Sequence, residues 1–255
     1  SVEGSTRRPQ DTAHSLCQMM HHVSGIPDYI DLLTDEGFDM TGSSTDADAL
    51  AALGSVPSLE FEPGTRWEYS NSNYFLLGQV VMAVTGTSLA EFLRTEVFEP
   101  LGLAMVMDPT ARLPGKATSY EGAGTQRAVA DSGWEQVGDG GIQTTPSELV
   151  KWAAQYWHPT IGASGIASAR VDDAADVGDP DDPGARYGAG IEISQTEGIG
   201  TTLSHSGGWG GFDTSFVVVP DQHLAVAATC TSEETVNQIG LTDDEQLLAP
   251  WIAGA

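Results

Sequence analysis

The sequence is short of positive charge. It holds 2 lysines and 8 arginines against 20 aspartates and 16 glutamates, a formal charge of −26 and an isoelectric point near 4.1. Nucleic acid and anionic membrane surfaces are excluded as partners on that ground, because both would repel the chain. Cysteine is scarce too. Cys17 and Cys230 stand near opposite ends in no C-x-x-C or zinc-ligand spacing, which excludes a disulfide framework. Each is expected to be a buried small hydrophobe or an unpaired thiol. No apolar run approaches the ~18–20 residues that span a bilayer. G-x-S-x-G, H-E-x-x-H, Walker and G-x-G-x-x-G patterns are all missing, and no metal or other cofactor is expected. The polar opening SVEGSTRRPQ holds no signal peptide and gives no compartment.

What is present is enough for a folded core. A 40% hydrophobic fraction excludes wholesale disorder, and 255 residues suit one large domain or two small ones. An acidic surplus with so little lysine is the pattern of a salt-adapted protein, since molar salt cuts the Debye length to about 3 Å and screens self-repulsion. An ordinary acidic protein with a solvated surface is the alternative.

Residues 1–13 read as a polar tail and 14–255 as one domain. Its region 14–158 is expected to be mainly helical. Leu16-Cys17-Met19-Met20 form a short helical pattern. Tyr74, Leu77, Val80, Val81 and Val84 mark one face of a helix over 73–85 that Gly86 ends. Ser88 with Glu91, and Thr145 with Pro146 and Glu148, signal two more helix starts. Residues 171–184, with six aspartates, are expected to form an exposed loop. They could offer oxygen ligands to calcium, though EF-hand spacing is absent. From about 186 the character changes: Tyr187–Ser194, Thr202–His205, Phe212–Val219 and Leu224–Cys230 read as strands, with a hairpin at 220–223 and a last helix at 247–252. The fold class is α+β, an antiparallel sheet flanked by helices plus a helical subdomain.

Three segments can carry chemistry. Tyr69-Ser70-Asn71 offers a proton relay and an amide hydrogen-bonder at a helix entrance, or a packed aromatic with a cap. Gly138-Asp139-Gly140-Gly141 implies close backbone approach, for a substrate at Asp139 or for a turn. His205-Ser206-Gly207-Gly208 leaves room for a ligand along a strand edge, or is a glycine-rich hairpin. The adjacent His21 and His22 point apart and make a poor metal site; a helix end with one ring buried accounts for them.

In this order the segments resemble the serine β-lactamase and penicillin-binding-protein superfamily, nearest to class C β-lactamases, esterases, D,D-peptidases and D-aminopeptidases. The resemblance rests on HHVSGIPDY (21–29), FEPGTRWEYSNSNYFLLGQVV (61–81), GDGGIQTTPSEL (138–149) and HSGGWGGFDTSFVVVPD (205–221). It implies a β-lactamase/transpeptidase-like fold and acyl transfer from an ester, β-lactam or D-amino-acid peptide. In the family, serine of an S-x-x-K motif attacks a carbonyl through an acyl-enzyme. By the same resemblance Tyr69 is the acid/base partner and Asn71 binds the substrate amide. His205 holds the place of the β-lactamase lysine, which leans away from strong β-lactamase activity. Gly207 belongs to the K/H-x-G motif and Gly208 lends an oxyanion N–H. Family members often work outside the cytoplasm.

The nucleophile motif is missing. Lys116 and Lys151 follow Leu113 and Glu148 at the required interval, so no S-x-x-K occurs. Family order puts that motif several dozen residues before HHVSGIPDY, with the first helix and opening strands. The expectation is a domain lacking these parts and inactive as it stands. A fragment of a longer hydrolase, a non-catalytic remnant binding peptidoglycan-like or β-lactam ligands, and a segment supplied by a partner chain are the three explanations. An S-x-x-K encoded several dozen codons upstream of Ser1 is the mark of the first.

Overall fold

The computed structural model describes residues 16–122, 124–179, 182–232 and 247–250. Residues 16–20 form a short helix (α1), and α2 spans Tyr29–Asp35, capped by Asp28. Helix α3 covers Asp46–Ser55, where Thr45 and Asp48 bond reciprocally in a capping box. Helix α4 runs Asn71–Thr85 and ends on Gly86 at φ 71°. Helix α5 (Leu89–Leu93) passes through a π turn at Arg94–Phe98 into α6 (Glu99–Leu101). The Ser88 cap is one-sided, because the Glu91 side chain turns to Arg94 instead.

The helical region is interrupted by strand pairs: β1 (Ser43–Ser44) with β5 (Gly133–Trp134), β2 (Val106–Met107) with β6 (Ile142–Gln143), and β3 (Ser119–Glu121) with β4 (Ala128–Ala130). Helix α7 (Pro146–Ala153) starts at Thr145, and α8 is Ile166–Ala169. The main sheet has β7 (Ala175–Asp176), β8 (Arg186–Tyr187), β9 (Glu192–Thr196), β10 (Gly200–Trp209), β11 (Phe212–Val219) and β12 (Leu224–Cys230), each antiparallel to its neighbour. Two expectations change here. The acidic 171–184 segment contributes an edge strand, and the expected strand 187–194 breaks at residues 188–191.

Alternation along β11 makes the sheet two-faced. Phe216 and Val218 pack toward Leu149, Trp152 and Tyr156 of the α7 region. Val217 and Val219 pack on Leu248, in the short helix at residues 247–250. Residues 251 and 252 of the expected last helix lie outside the described residues.

Helix α4 half-buries Tyr74, Leu77 and Val81 of the face its apolar spacing suggests, but its fully buried residues lie elsewhere. Ser72, Asn73, Phe75 and Gly78 are buried, while Val80 is exposed and Val84 is 81% exposed. Ser72 and Asn73 find hydrogen-bond partners in residues 24–29, and Gly78 lets the Val137 carbonyl and Gly138 approach. Both thiols are unpaired; Cys17 is exposed and Cys230 half-buried, so neither is a core residue. Among the described residues no three metal-ligating side chains gather, and no single helix is long and apolar enough to cross a membrane.

Phe75 is fully buried against Tyr29 and Trp134. Phe75→Ala is expected to cost about 3–5 kcal/mol in urea denaturation. Val84→Ser on the same helix should stay within about 0.5 kcal/mol; equal losses would show that the buried face is misassigned.

Candidate active site

The site gathers at the start of α4, whose first turn is tied to residues 20–29 at successive positions. Asp28 is the central tie. Its Oδ1 accepts the Ile30 N–H at 2.9 Å, capping α2, and its Oδ2 accepts the Asn71 backbone N–H and side-chain Nδ2 at 2.8 and 2.7 Å. Ser72 Oγ accepts from Tyr29 N at 2.8 Å and donates to the Pro27 carbonyl at 2.6 Å. Ser24 Oγ donates to Asn73 Oδ1 at 2.6 Å, and Tyr74 OH to the Met20 carbonyl at 2.8 Å. Gly25 turns the chain at φ 73°, where a Cβ would stand 2.3 Å from the Phe61 carbonyl oxygen, so only glycine fits.

His22 lies under this turn. Its Nδ1 accepts the Ser70 N–H and Asn73 Nδ2, both at 3.1 Å, which puts its proton on Nε2. The expectation of one buried ring at His21–His22 is corrected: both are buried, because the chain leaves α1 through a left-handed His22 (φ 54°) that turns its ring under α4. The Tyr69 ring stacks on His22 at 4.2 Å and 27°, and lies 6.2 Å from His205.

His205 stands on β10 opposite Phe216. Its Nδ1 bonds the Ser206 carbonyl at 2.6 Å, so Nδ1 carries the proton and, in the neutral ring, Nε2 accepts from the buried Tyr187 OH at 3.0 Å. Both nitrogens are thus engaged. Gly207 and Gly208 continue β10 opposite Thr214 and Asp213; a Cβ at Gly207 would meet open space, and one at Gly208 would crowd Asp213 Oδ1 at 2.9 Å.

Asp139 comes to the site on a loop pressed against α4, where Gly138 at φ 114° leaves no room for a Cβ, which would sit 2.5 Å from the Tyr74 carbonyl oxygen. Asp139 Oδ2 accepts from Tyr29 OH at 2.8 Å, its Oδ1 is buried, and the backbone N–H groups of Asp139 and Gly140 lie near the carboxylate. Burial is the largest cause raising its pKa to about 6, opposed by the Tyr29 hydrogen bond. Burial, then the charges of Asp139, Asp28 and Glu192, push the Tyr69 phenol up to about 12. Burial followed by the neighbouring His205 and His21 brings His22 down to about 3, so it is neutral at ordinary pH.

The predicted residues are therefore assembled from distant parts of the chain. Tyr69 and His205 meet ring to ring, Asn71 is held by Asp28, and Asp139 is placed by Tyr29. Spacing gave no sign of Asp28, Asn73, His22 or Tyr187 as supports. Asp28 and His22 do lie in the 21–29 motif, and that membership was the available signal.

The family model described as Beta-lactamase matches residues 6–249, and the chain belongs to that family. It is 27% identical to a D-aminopeptidase of Gluconobacter oxydans over 86% of this chain and 42% of the relative. It is 26% identical to penicillin-binding protein 4* of Bacillus subtilis over 85% of this chain and 51% of the relative. The chain thus spans about half the length of these relatives. Its fold is like that of a D-stereospecific amidohydrolase from Streptomyces sp. (TM-score 0.77, 19% identity, 94% of this chain and 72% of the other). The fold is β-lactamase/transpeptidase-like.

Asp139 makes stability depend on pH. Its folded pKa of about 6 exceeds the ordinary 3.8, so the folded chain holds a proton that the unfolded chain releases, and stability falls as pH rises between those values. Asp139→Asn keeps the acceptor for Tyr29 and removes the charge. The variant is expected to match the parent near pH 4 and to exceed its stability by about 1–3 kcal/mol at pH 7. Urea denaturation across pH checks this, and a parent more stable than the variant at pH 7 would refute it.

Proposed function

We propose that this chain carries the acid/base and substrate-binding side of an acyl-transfer site acting on amides or short peptides of D-amino acids. The observation that carries the reading is the convergence of Tyr69, Asn71 and His205, with Tyr69 and His205 at 6.2 Å. Tyr69 O–H protonates the leaving nitrogen. Asn71 gives its Nδ2 to Asp28, so its Oδ1 is the end that accepts a substrate N–H. Gly208 N–H faces the oxyanion.

Charge favours a substrate with a free ammonium. The charges acting on Tyr69 are Asp139, Asp28 and Glu192, all carboxylates. They suit a cation and oppose the carboxylate of a β-lactam. They also hold Tyr69 protonated, so it works as an acid and becomes a base only with a cation beside it. The family's S-x-x-K lysine would be such a cation. No S-x-x-K stands in these 255 residues, and no nucleophile is assigned to them. That absence favours a second reading, reversible binding of the same ligands without turnover.

For the 255-residue chain, the expected results are no covalent penicillin adduct by mass spectrometry and no release of amine from a D-aminoacyl anilide. A D-amino-acid amide should bind in calorimetry, with affinity falling about tenfold, or about 1.4 kcal/mol, in Asn71→Ala. No heat with any D-amino-acid amide would sink the binding role. A stoichiometric penicillin adduct would show a nucleophile other than S-x-x-K.

The acidic surface suits a salt-rich solvent. With 36 carboxylates and 10 cations, repulsion acts over about 10 Å at 0.1 M salt and about 3 Å at 1 M. The thermal unfolding midpoint is expected to rise steadily in KCl up to molar concentration, measured by circular dichroism. A flat or falling midpoint would contradict salt adaptation.

A further inference from the structure

We infer that His22 is a positioning residue, whose buried imidazole fixes the ring plane of Tyr69 and the bearing of Tyr187 on His205. The inference rests on the reading of Tyr69 as the acid/base group. His22 touches no substrate position assigned above and acts through its neighbours.

Four observations carry it. The ring is 0% exposed, and its backbone takes a left-handed conformation (φ 54°) that few residues with side chains adopt. Its Nδ1 takes two donors, the Ser70 N–H and Asn73 Nδ2, so both tilt and tautomer are set by the first turn of α4. Ser70 is the N-cap of α4 yet makes no side-chain cap bond, so at this helix entrance the backbone N–H is given to the imidazole. The ring then presents its face to Tyr69 at 4.2 Å and 27°, and an edge-to-face contact to Tyr187 at 4.8 Å and 77°. Tyr187 in turn donates to His205 Nε2.

A phenylalanine could fill the space and stack. It could not accept from Ser70 or Asn73, and its ring would have no hydrogen bonds to set its tilt. What the imidazole adds is orientation. Tyr74 and Trp67 close the remaining sides at 5.3 and 6.4 Å between ring centroids, and His21 and His205 are the other titratable rings acting on it.

Two measurements on the unliganded chain test this, and neither needs turnover. In a long-range proton–nitrogen spectrum of histidine-labelled protein, the signal lost in His22→Asn should show a bare Nδ1 and protonated Nε2, unchanged from pH 5 to 8. A titrating ring or the opposite tautomer in that range overturns the inference, whatever His22→Asn does to folding. In tyrosine-labelled protein, His22→Asn and His22→Phe should each shift the Tyr69 and Tyr187 ring signals and leave that of Tyr120 on β3 in place. Folded variants with Tyr69 and Tyr187 signals unmoved mean a space-filling ring only. Failure of D-amino-acid amide binding with these signatures intact would fault the functional reading and leave His22 as the device that orients Tyr69.

Discussion

One carboxylate decides how this site is built. Asp28 caps α2 with one oxygen and holds both nitrogen donors of Asn71 with the other. Hydrogen bonds to an ionised group contribute about 1.5–3 kcal/mol each, roughly twice a neutral bond. More consequential is the geometry. The bonds fix where α4 begins relative to α2, and hence where Tyr69, two residues ahead of Asn71, must lie. The remaining ties through Ser72, Ser24 and His22 work within that frame. Together they satisfy polar groups that a buried, polar-faced helix start would otherwise leave unpaired.

The same interactions explain why the face that α4 buries fully is the less hydrophobic one. Val80 and Val84 supply apolar surface, yet they point outward. Burying Ser72 and Asn73 costs little once each is bonded, and Gly78 admits the 137–138 backbone to close contact. The close approach brings Asp139 to the site. Packing at this helix thus follows polar complementarity and backbone access, with hydrophobic burial concentrated at Phe75.

Much of the fold was legible because it obeys local rules. Caps at Thr145 and Ser88, the Gly86 stop and the β-branched and aromatic runs of β11 and β12 are written within a few residues of where they act. The trio of Tyr69, Asn71 and His205 was legible only through motif order, since each tripeptide alone has an ordinary structural explanation. Asp28 and His22 were not legible as supports. Their roles depend on contacts with residues about fifty positions away, and hydrophobic periodicity carries no information about hydrogen bonds of that range. The periodicity of α4 held for Tyr74, Leu77 and Val81, which are half-buried, and failed for Val80 and Val84, because it weighs them above a serine and an asparagine.

Negative charge at the surface and negative charge at the site obey different physics. Exposed carboxylates repel through water, and added salt screens them. Asp139 Oδ1 is buried while Tyr69 is 39% exposed, so salt screens their mutual influence less than that of the surface charges but does not leave it untouched. A salt-rich solvent therefore relaxes the surface more than it alters the acidity of Tyr69. Raising that acidity takes a cation in direct contact with the phenol, and bulk ions screened at 3 Å do not substitute for one held by the protein or carried on a substrate. His205 has both ring nitrogens engaged, by the Ser206 carbonyl and Tyr187 OH, and turns neither toward the Tyr69 phenol. On the proposed reading the site waits on an ammonium group: the charge Tyr69 would need for base chemistry is the charge that Asp139, Asp28 and Glu192 favour.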